Sequence, residues 1–504
     1  VAPPRRHSDL RHFNTSLYIE YISVYGDTHH DADAAVAVAL TAHRRHHDEE
    51  IVMSQVTRPG QWVEQEAGIG LADVAADAFN MCISTDRYRS REYSLQERER
   101  IWMRVWQIVG RVDELPKVGD WKQYRILNQS FVIVRGKDEK LRGFVNACRH
   151  RGNILCNAAT GNAKRGFLCQ YHLWSYDLDG KLRGMLRENL AGPIDKGENS
   201  LLEVPVDTFG GFIFLNPDPN AQPLSDFLGP EVTELLAPYH LDEMVTVMNV
   251  RESLECNWKV VMDAFEEGYH INGIHPQLLS VLVIDPTSAR YRFFENHSVA
   301  VAPFEVKGAS ADKQIEGILN LPDTFPSTVA VMPRFQELVA QYRGSDDSVE
   351  FPEDVTARTL LQQATRDTLT GMGLDVGGLT DDQMSDNQGW VLFPNYFMTI
   401  RAGECHVIMA VPHPDGDPNR CVWHVSSYMY LPPEHRDAFR VPLTEVDEPG
   451  TYKYFEALQQ DYDQMPRQQL GLRNSRLDHM SLVKEEVVIG HYHSVVDRYM
   501  ANGV

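Results

Sequence analysis

Cys148-Arg149-His150 and, after eighteen intervening residues, Cys169-Gln170-Tyr171-His172 organise this chain. Each arm puts one thiolate and one imidazole into a short loop. Two thiolates and two imidazoles suit a [2Fe–2S] centre in which one iron takes both Cys and the other both His. Neutral His ligands raise the reduction potential of such a centre above that of an all-Cys cluster. The rival reading of the same four residues is a structural Cys2His2 zinc site. Zinc modules usually pair Cys with Cys in one knuckle and His with His in the other. Each arm here is mixed, which favours iron–sulfur.

Outward from the arms, Trp102 through Asp218 resembles the Rieske domain of ring-hydroxylating oxygenase large (alpha) subunits. The likeness is carried by Phe144-Val145-Asn146-Ala147-Cys148-Arg149-His150-Arg151-Gly152 and by Cys169-Gln170-Tyr171-His172-Leu173-Trp174-Ser175-Tyr176-Asp177-Leu178-Asp179-Gly180, and it closes at Gly211-Phe212-Ile213-Phe214-Leu215-Asn216. Two departures stand out. The gap between the arms is a residue or so longer than is usual, and Leu173 replaces a customary Gly. Both lie beside expected ligands, so altered loop geometry around an intact cluster is expected, with Cys148, His150, Cys169 and His172 as its ligands.

The chain has 504 residues, enough for two or three domains, with a 43% hydrophobic and a 24% charged fraction ordinary for a globular protein. No apolar run is long enough to span a bilayer, and no N-terminal stretch has the regions of a signal peptide, so a cytoplasmic location is expected. Cys82, Cys148, Cys156, Cys169, Cys256, Cys405 and Cys421 are scattered and odd in number, unlike a disulfide framework. A net charge of −23 argues against nucleic acid and anionic membranes as partners.

The expected fold class is α+β. Residues 1–52 hold His7, His12, His29, His30, His43, His46 and His47 in no ligand spacing and read as a poorly ordered or non-native extension, with Met53 a candidate natural start. Residues 53–110 form an N-terminal segment, helical over 64–110. Residues 111–216 alternate short β-rich runs with Gly, Asp and Asn turns, giving a small all-β domain that carries the cluster loops. Pro217-Asp218-Pro219-Asn220 marks a boundary. Residues 217–504 form an α+β catalytic domain with antiparallel sheet and helices, of helix-grip or START-like type, interrupted by a variable insertion over 307–388 that includes a helix over Thr356 to Leu369. There is no internal repeat.

A second metal site is written downstream. Asn257 to His270 reads as an amphipathic helix, with Trp258, Val261, Met262, Phe265 and Tyr269 at three- and four-residue steps. His275 would lie about 140° from His270 on a continuous helix. Sharing one ion therefore requires a bend between them, which Asn272-Gly273 offers and Pro276 reinforces. Two His and one carboxylate make the facial triad of non-haem Fe(II) oxygenases. The stretch resembles the family's mononuclear-iron motif, which implies His270 and His275 as ligands. The stretch Tyr452 to Leu472 resembles the family's C-terminal helix, with Asp461, Gln469, Gly471 and Leu472 at its spacing. Geometry votes the same way: Asp461 lies about 65° from the centre of the stripe formed by Phe455, Leu458, Tyr462 and Met465, and Asp463 about 135°. The family also places a carboxylate three residues before the first iron His, linking it to the second Rieske His of a neighbouring subunit. Here that implies a path from His172 through Glu267 to His270. The alternative for Glu267 is a solvated surface residue, as expected for Glu266.

The resemblance implies a terminal oxygenase using O2, with electrons reaching it from NAD(P)H through a reductase and a ferredoxin, since no GxGxxG fingerprint appears in the chain. Arg149, Arg151, Lys164 and Arg165 form a basic cluster that could either dock an acidic ferredoxin or brace the iron–sulfur loops. A head-to-tail homotrimer is implied, with or without a small beta subunit. The expected substrate is aromatic and largely apolar, hydroxylated by cis-dihydroxylation, with Met262 and Phe265 as pocket candidates and Arg401 as a loose candidate anchor for a carboxylate. The alternatives are a Rieske monooxygenase or demethylase acting by O- or N-dealkylation, an electron-transfer Rieske protein without oxygenase activity, and a zinc-stabilised binding protein.

Overall fold

Short runs rich in Val, Ile and Phe, set between turns, pair antiparallel through the first half of the chain. The protein is described here from a computed structural model over residues 68–502, apart from 76–77, 191, 281–287, 305–309, 324 and 346–347. The extension 1–52 lies outside the described residues. Asp120–Ile126, Gln129–Arg135 and Leu141–Val145 are the middle of a five-stranded sheet edged by Thr160–Asn162 and Glu203–Val204. Leu182–Gly184, Ser175–Tyr176 and Phe167–Leu168 form a smaller sheet that flanks the second arm. Val132, Val134, Phe144, Trp174 and Tyr176 close a core of their own around Cys148 and Cys169.

The segment before this domain differs from expectation. Among the described residues of this segment, α-helix occupies only Asp86–Arg89 and Arg91–Glu97, running on into a wider turn over Arg98–Trp102. Cys82–Ser84 is a strand paired with His479–Ser481, and Gln107–Arg111 is a strand paired with Phe212–Leu215. The β-branched residues of Gln107-Ile108-Val109-Gly110-Arg111 find a partner strand a hundred residues away, and that tertiary pairing overrides the local helical pattern.

A nine-stranded sheet forms the second half, in the order Ile69–Gly70, Arg290–Phe293, His297–Ala302, Asn387–Leu392, Tyr396–Arg401, Glu404–Pro412, Cys421–Met429, Val245–Leu254 and Thr444–Glu445. Its neighbours are antiparallel except at the last pair. Three helices position the site: α1 (Trp258–Phe265), α2 (Glu456–Leu472) and α3 (Val487–Asn502). α1 lies on the central strands and α2 packs on α1. The insertion is a helical satellite. Ala311–Leu319, Met332–Ala340 and Ala357–Gly371 share a separate core that includes Phe304, Phe335 and Leu361, and Thr356 caps the last of these helices. Among the described residues, no helix is long and apolar enough to cross a membrane.

Candidate metal centres

The two arms fold into the same turn at one end of the small β domain. Cys148 and Cys169 are buried, while His150 is exposed and His172 half-buried. The His150 and His172 rings meet edge to face, with Nδ1 atoms 3.2 Å apart. His150 stacks on Trp174. Burial pushes the Cys148 thiol up. At Cys169 burial acts in the same direction but is outweighed by the N–H groups of Tyr171 and His172, which hold that thiol below its usual range. The Tyr176 hydroxyl lies 3.2 Å from Cys148 Sγ and accepts the Arg149 N–H.

This donor set fits a binuclear cluster, with two sulfurs beneath and two imidazole nitrogens paired at the rim. It fits a single zinc poorly. Tetrahedral zinc would draw its donor atoms to within roughly 4 Å of one another. Among the described residues, only His270, His275 and Asp461 bring three such donors within 4.8 Å.

That second set is assembled differently. Asn257 caps α1 by accepting the Lys259 N–H, and the helix stops at Phe265 rather than continuing to His270. Gly268 disfavours helix, and the Glu267 carboxylate takes the N–H groups of both Tyr269 and His270, starting a new turn over Ile271–Ile274 that ends at His275. The expected bend at Asn272-Gly273 therefore falls earlier, over residues 266–269. Glu267 also binds His270 Nδ1, and Gln460 Oε1 accepts from His275 Nδ1 at 2.7 Å. Both rings thus turn Nε2 toward Asp461 Oδ1, at 3.6 Å and 3.0 Å. Fixing one ring nitrogen through a hydrogen bond presents the other to a metal. Two imidazoles and a buried carboxylate meeting at one point suit a divalent iron.

Several contacts fix α1, which leads into the His270 turn, and α2, which carries Asp461. Gln469, two turns beyond Asp461 on α2, accepts the Asn257 N–H at 3.0 Å and so grips the start of α1. Asp263 on α1 accepts from the Tyr88 hydroxyl at 2.6 Å and from His493 Nε2 on α3 at 3.0 Å. Lys259 and Glu97 form a fully buried pair at 2.6 Å. Burial pulls the Lys259 ammonium down and pushes the Glu97 carboxyl up. Beside the donors lies a cleft of about 220 Å³ whose wall includes Asp263, Glu267, Asp461 and Glu486, together with Met465 and Leu482, but no Lys or Arg.

Other candidates fall elsewhere. Asp463 is exposed and accepts from Gln459. Glu266, expected at the surface, is buried, and burial pushes its carboxyl well above the usual range; the chain turns inward where α1 ends. Met262 is fully buried in the main core and Phe265 packs on Phe397 and Trp423, so neither lines the cleft. Arg401 is no substrate anchor. It pairs with Glu404 at 2.6 Å and lies over Phe325, facing the insertion. Gln460 gave no signal in the sequence, since only the fold carries it to His275.

Residues 105–191 match the Rieske [2Fe–2S] domain and residues 238–502 the catalytic domain of the ring-hydroxylating alpha subunit. The chain is 34% identical to a glycine betaine monooxygenase oxygenase subunit of Chromohalobacter salexigens over 38% of its own length and 42% of that protein's. It is 28% identical to the alpha subunit of 2-aminobenzenesulfonate 2,3-dioxygenase from Alcaligenes sp, covering 55% of this chain and 71% of that one. The aligned part thus spans less than half of the betaine relative. Among solved structures, a quaternary ammonium Rieske monooxygenase in complex with its substrate L-carnitine superposes with a TM-score of 0.57 at 18% identity, over 85% of this chain and 97% of that one. At that identity the likeness concerns the fold.

Proposed function

Since the chain belongs to the ring-hydroxylating alpha subunit family, we propose that it is the terminal oxygenase of a multicomponent system and that it monooxygenates an N-alkyl carbon of a small cationic ammonium compound. The observation that carries the substrate class is the cleft beside His270 and Asp461, walled by four carboxylates and by no Lys or Arg. The four carboxylates outnumber the two positive charges of a divalent iron, so the cleft stays net negative and favours a cation over an anion such as an aromatic sulfonate. The betaine relative points the same way.

When bound, the cluster supplies electrons singly and the mononuclear iron supplies O2 activation. The protein's part is positional. Glu267 and Gln460 aim the two imidazoles, Asp461 supplies the anionic donor, and Met465 and Leu482 give the cleft an apolar side. The overall balance takes one O2, two electrons and two protons, places one oxygen in a C–H bond and releases the other as water. A hydroxylated N-alkyl carbon then breaks its C–N bond to give an aldehyde and the shortened amine. Electrons come from NAD(P)H through a separate reductase with a ferredoxin. In the arrangement we infer, a head-to-tail trimer, His172 of one copy faces Glu267 of the next.

A second reading retains the aromatic substrate and cis-dihydroxylation, favoured by the dioxygenase relative that aligns over 71% of its own length. Iron-loaded protein given NAD(P)H and a surrogate ferredoxin and reductase separates the two. Aldehyde release from N-methylated ammonium compounds, coupled to O2 uptake, is the expected result. A cis-diol from an apolar arene would establish the second reading instead. Cluster reduction with no substrate-dependent O2 uptake would sink both and leave an electron carrier.

A further inference from the structure

Of the four carboxylates in the wall of the cleft, three are engaged within the chain. Asp461 Oδ1 lies between the Nε2 atoms of His270 and His275. Glu267 binds His270 Nδ1 through one oxygen and takes the Tyr269 and His270 N–H groups on the other. Asp263 accepts from the Tyr88 hydroxyl on one oxygen and from His493 Nε2 on the other.

Glu486 is placed differently. It stands immediately before α3, half-buried, on a segment that also brings Met480, Leu482 and Ile489 to the cleft wall. One of its oxygens accepts the Val483 N–H at 2.7 Å. The other has no hydrogen bond or ion pair among the described residues. Burial pushes this carboxyl up, and the neighbouring Glu267, Asp263 and Glu485 push the same way against the pull of the Val483 N–H. An opposite charge arriving beside such a group favours its ionised form.

We propose that Glu486 holds the ammonium group of the substrate, its second oxygen facing the positive charge while an N-alkyl carbon reaches toward His270, His275 and Asp461. This rests on the cationic-substrate reading above and names the side chain that enforces it. N-methyl groups donate no hydrogen bond of ordinary strength, so an alkylammonium calls for charge and apolar surface rather than for an ordered set of acceptors. One uncommitted carboxylate beside the Met465 and Met480 thioethers and Leu482 supplies both.

The test uses the full iron-loaded chain, kept free of O2 so that nothing turns over, in calorimetric titrations with two probes: choline and its neutral carbon isostere 3,3-dimethylbutan-1-ol. Glu486→Gln keeps a carbonyl to accept the Val483 N–H and removes only the charge. Glu485→Gln removes the same charge one residue away, outside the cleft wall. Glu486→Gln is expected to weaken choline about 10- to 100-fold, as loss of a desolvated charge partner does, with the isostere, the iron content and thermal unfolding unchanged. Glu486→Asp, which keeps the charge but draws it back by one methylene, should fall between that variant and the parent. Glu485→Gln should bind both probes like the parent. A Glu486→Gln chain that binds choline as tightly as the parent overturns the assignment and leaves the cationic-substrate reading standing. Equal weakening by Glu485→Gln makes the effect a field of the whole cleft and also overturns it. Equal loss of choline and of the isostere makes Glu486 a brace for the start of α3, and the proposal fails. A parent chain that prefers the isostere to choline refutes the cationic-substrate reading and the anchor together.

Discussion

The two donor sets are built on opposite plans. The four candidate cluster donors sit within one stretch, Cys148 to His172, on turns that close through their own backbone, and their imidazoles reach the surface. The candidate mononuclear donors are His270 and His275, at the two ends of one short turn, and Asp461 on α2, and each imidazole is aimed by another side chain. The first site follows from local turn chemistry inside a small β domain. The second exists only once α1, α2 and the sheet have packed. Damage should therefore stay local at the cluster and should spread through supporting residues at the triad.

The largest expected effect separates the two sites outright. His270→Ala or Asp461→Ala should drop the iron content from about three to about two per chain, leave the cluster signal intact and abolish turnover. Cys169→Ser should do the reverse, retaining about one iron without acid-labile sulfide. Iron and sulfide assays with paramagnetic resonance read both outcomes. A cluster that vanishes in His270→Ala would show that the sites are not independent.

Next comes the support of the triad. Gln460→Leu removes the acceptor from His275 Nδ1 without touching a ligand. Iron affinity measured by chelator competition should fall about 10- to 100-fold, with the cluster unchanged. An unaltered affinity would mean that packing alone orients the ring.

How much of this was legible in the sequence follows the same division. Mixed Cys and His arms declare themselves because their chemistry lies within a few residues. The strands Tyr396–Arg401 and Cys421–Met429 are runs of the β-branched and aromatic residues that strands favour. Asp461 was separable from Asp463 by helical phase alone, and Asp461 is the buried one. What the sequence hid is tertiary. Gln107–Arg111 takes its strand identity from Phe212–Leu215, Glu266 turns inward at a helix end, and Gln460 acts on a residue far away in the chain. The insertion's helices cohere around a core that no local period announces. Asn387–Leu392, assigned in part to that insertion, is a strand of the main sheet.

Acid should expose the burial of the catalytic half. His297 donates from Nε2 to the Phe227 carbonyl and accepts the Phe393 N–H at Nδ1, so it must be neutral to keep both bonds. Burial pulls it down to about 4. An unfolded histidine takes its proton near pH 6.5. Between those values only the unfolded chain binds the proton, so this stability is complete above about pH 6.5 and is lost as the pH falls toward 4. For His297 alone the loss from pH 7 to pH 5 should be about 2 kcal/mol by denaturant unfolding. A His297→Gln variant should show a shallower pH dependence, and an identical slope would place the titration elsewhere.

The smallest expected effect tests whether the two arms truly share one turn. A Cβ built on Gly152 meets nothing within 4 Å, so Gly152→Ala changes only the backbone preference at φ +75°. It should cost about 1–2 kcal/mol, the penalty of a left-handed residue with a side chain. Leu173→Gly should return a similar amount at the matching position of the other arm, where φ is +55°. Combining the two should come close to the parent in urea unfolding followed by the cluster's visible absorption. The His150 and His172 rings touch, so a residual difference in the double variant would measure coupling between the arms through those rings rather than a difference in their turns. If Gly152→Ala costs nothing while Leu173→Gly still stabilises, the strain belongs to the second arm alone, and the shared hydrogen bonds describe a resemblance of form without a resemblance of energy.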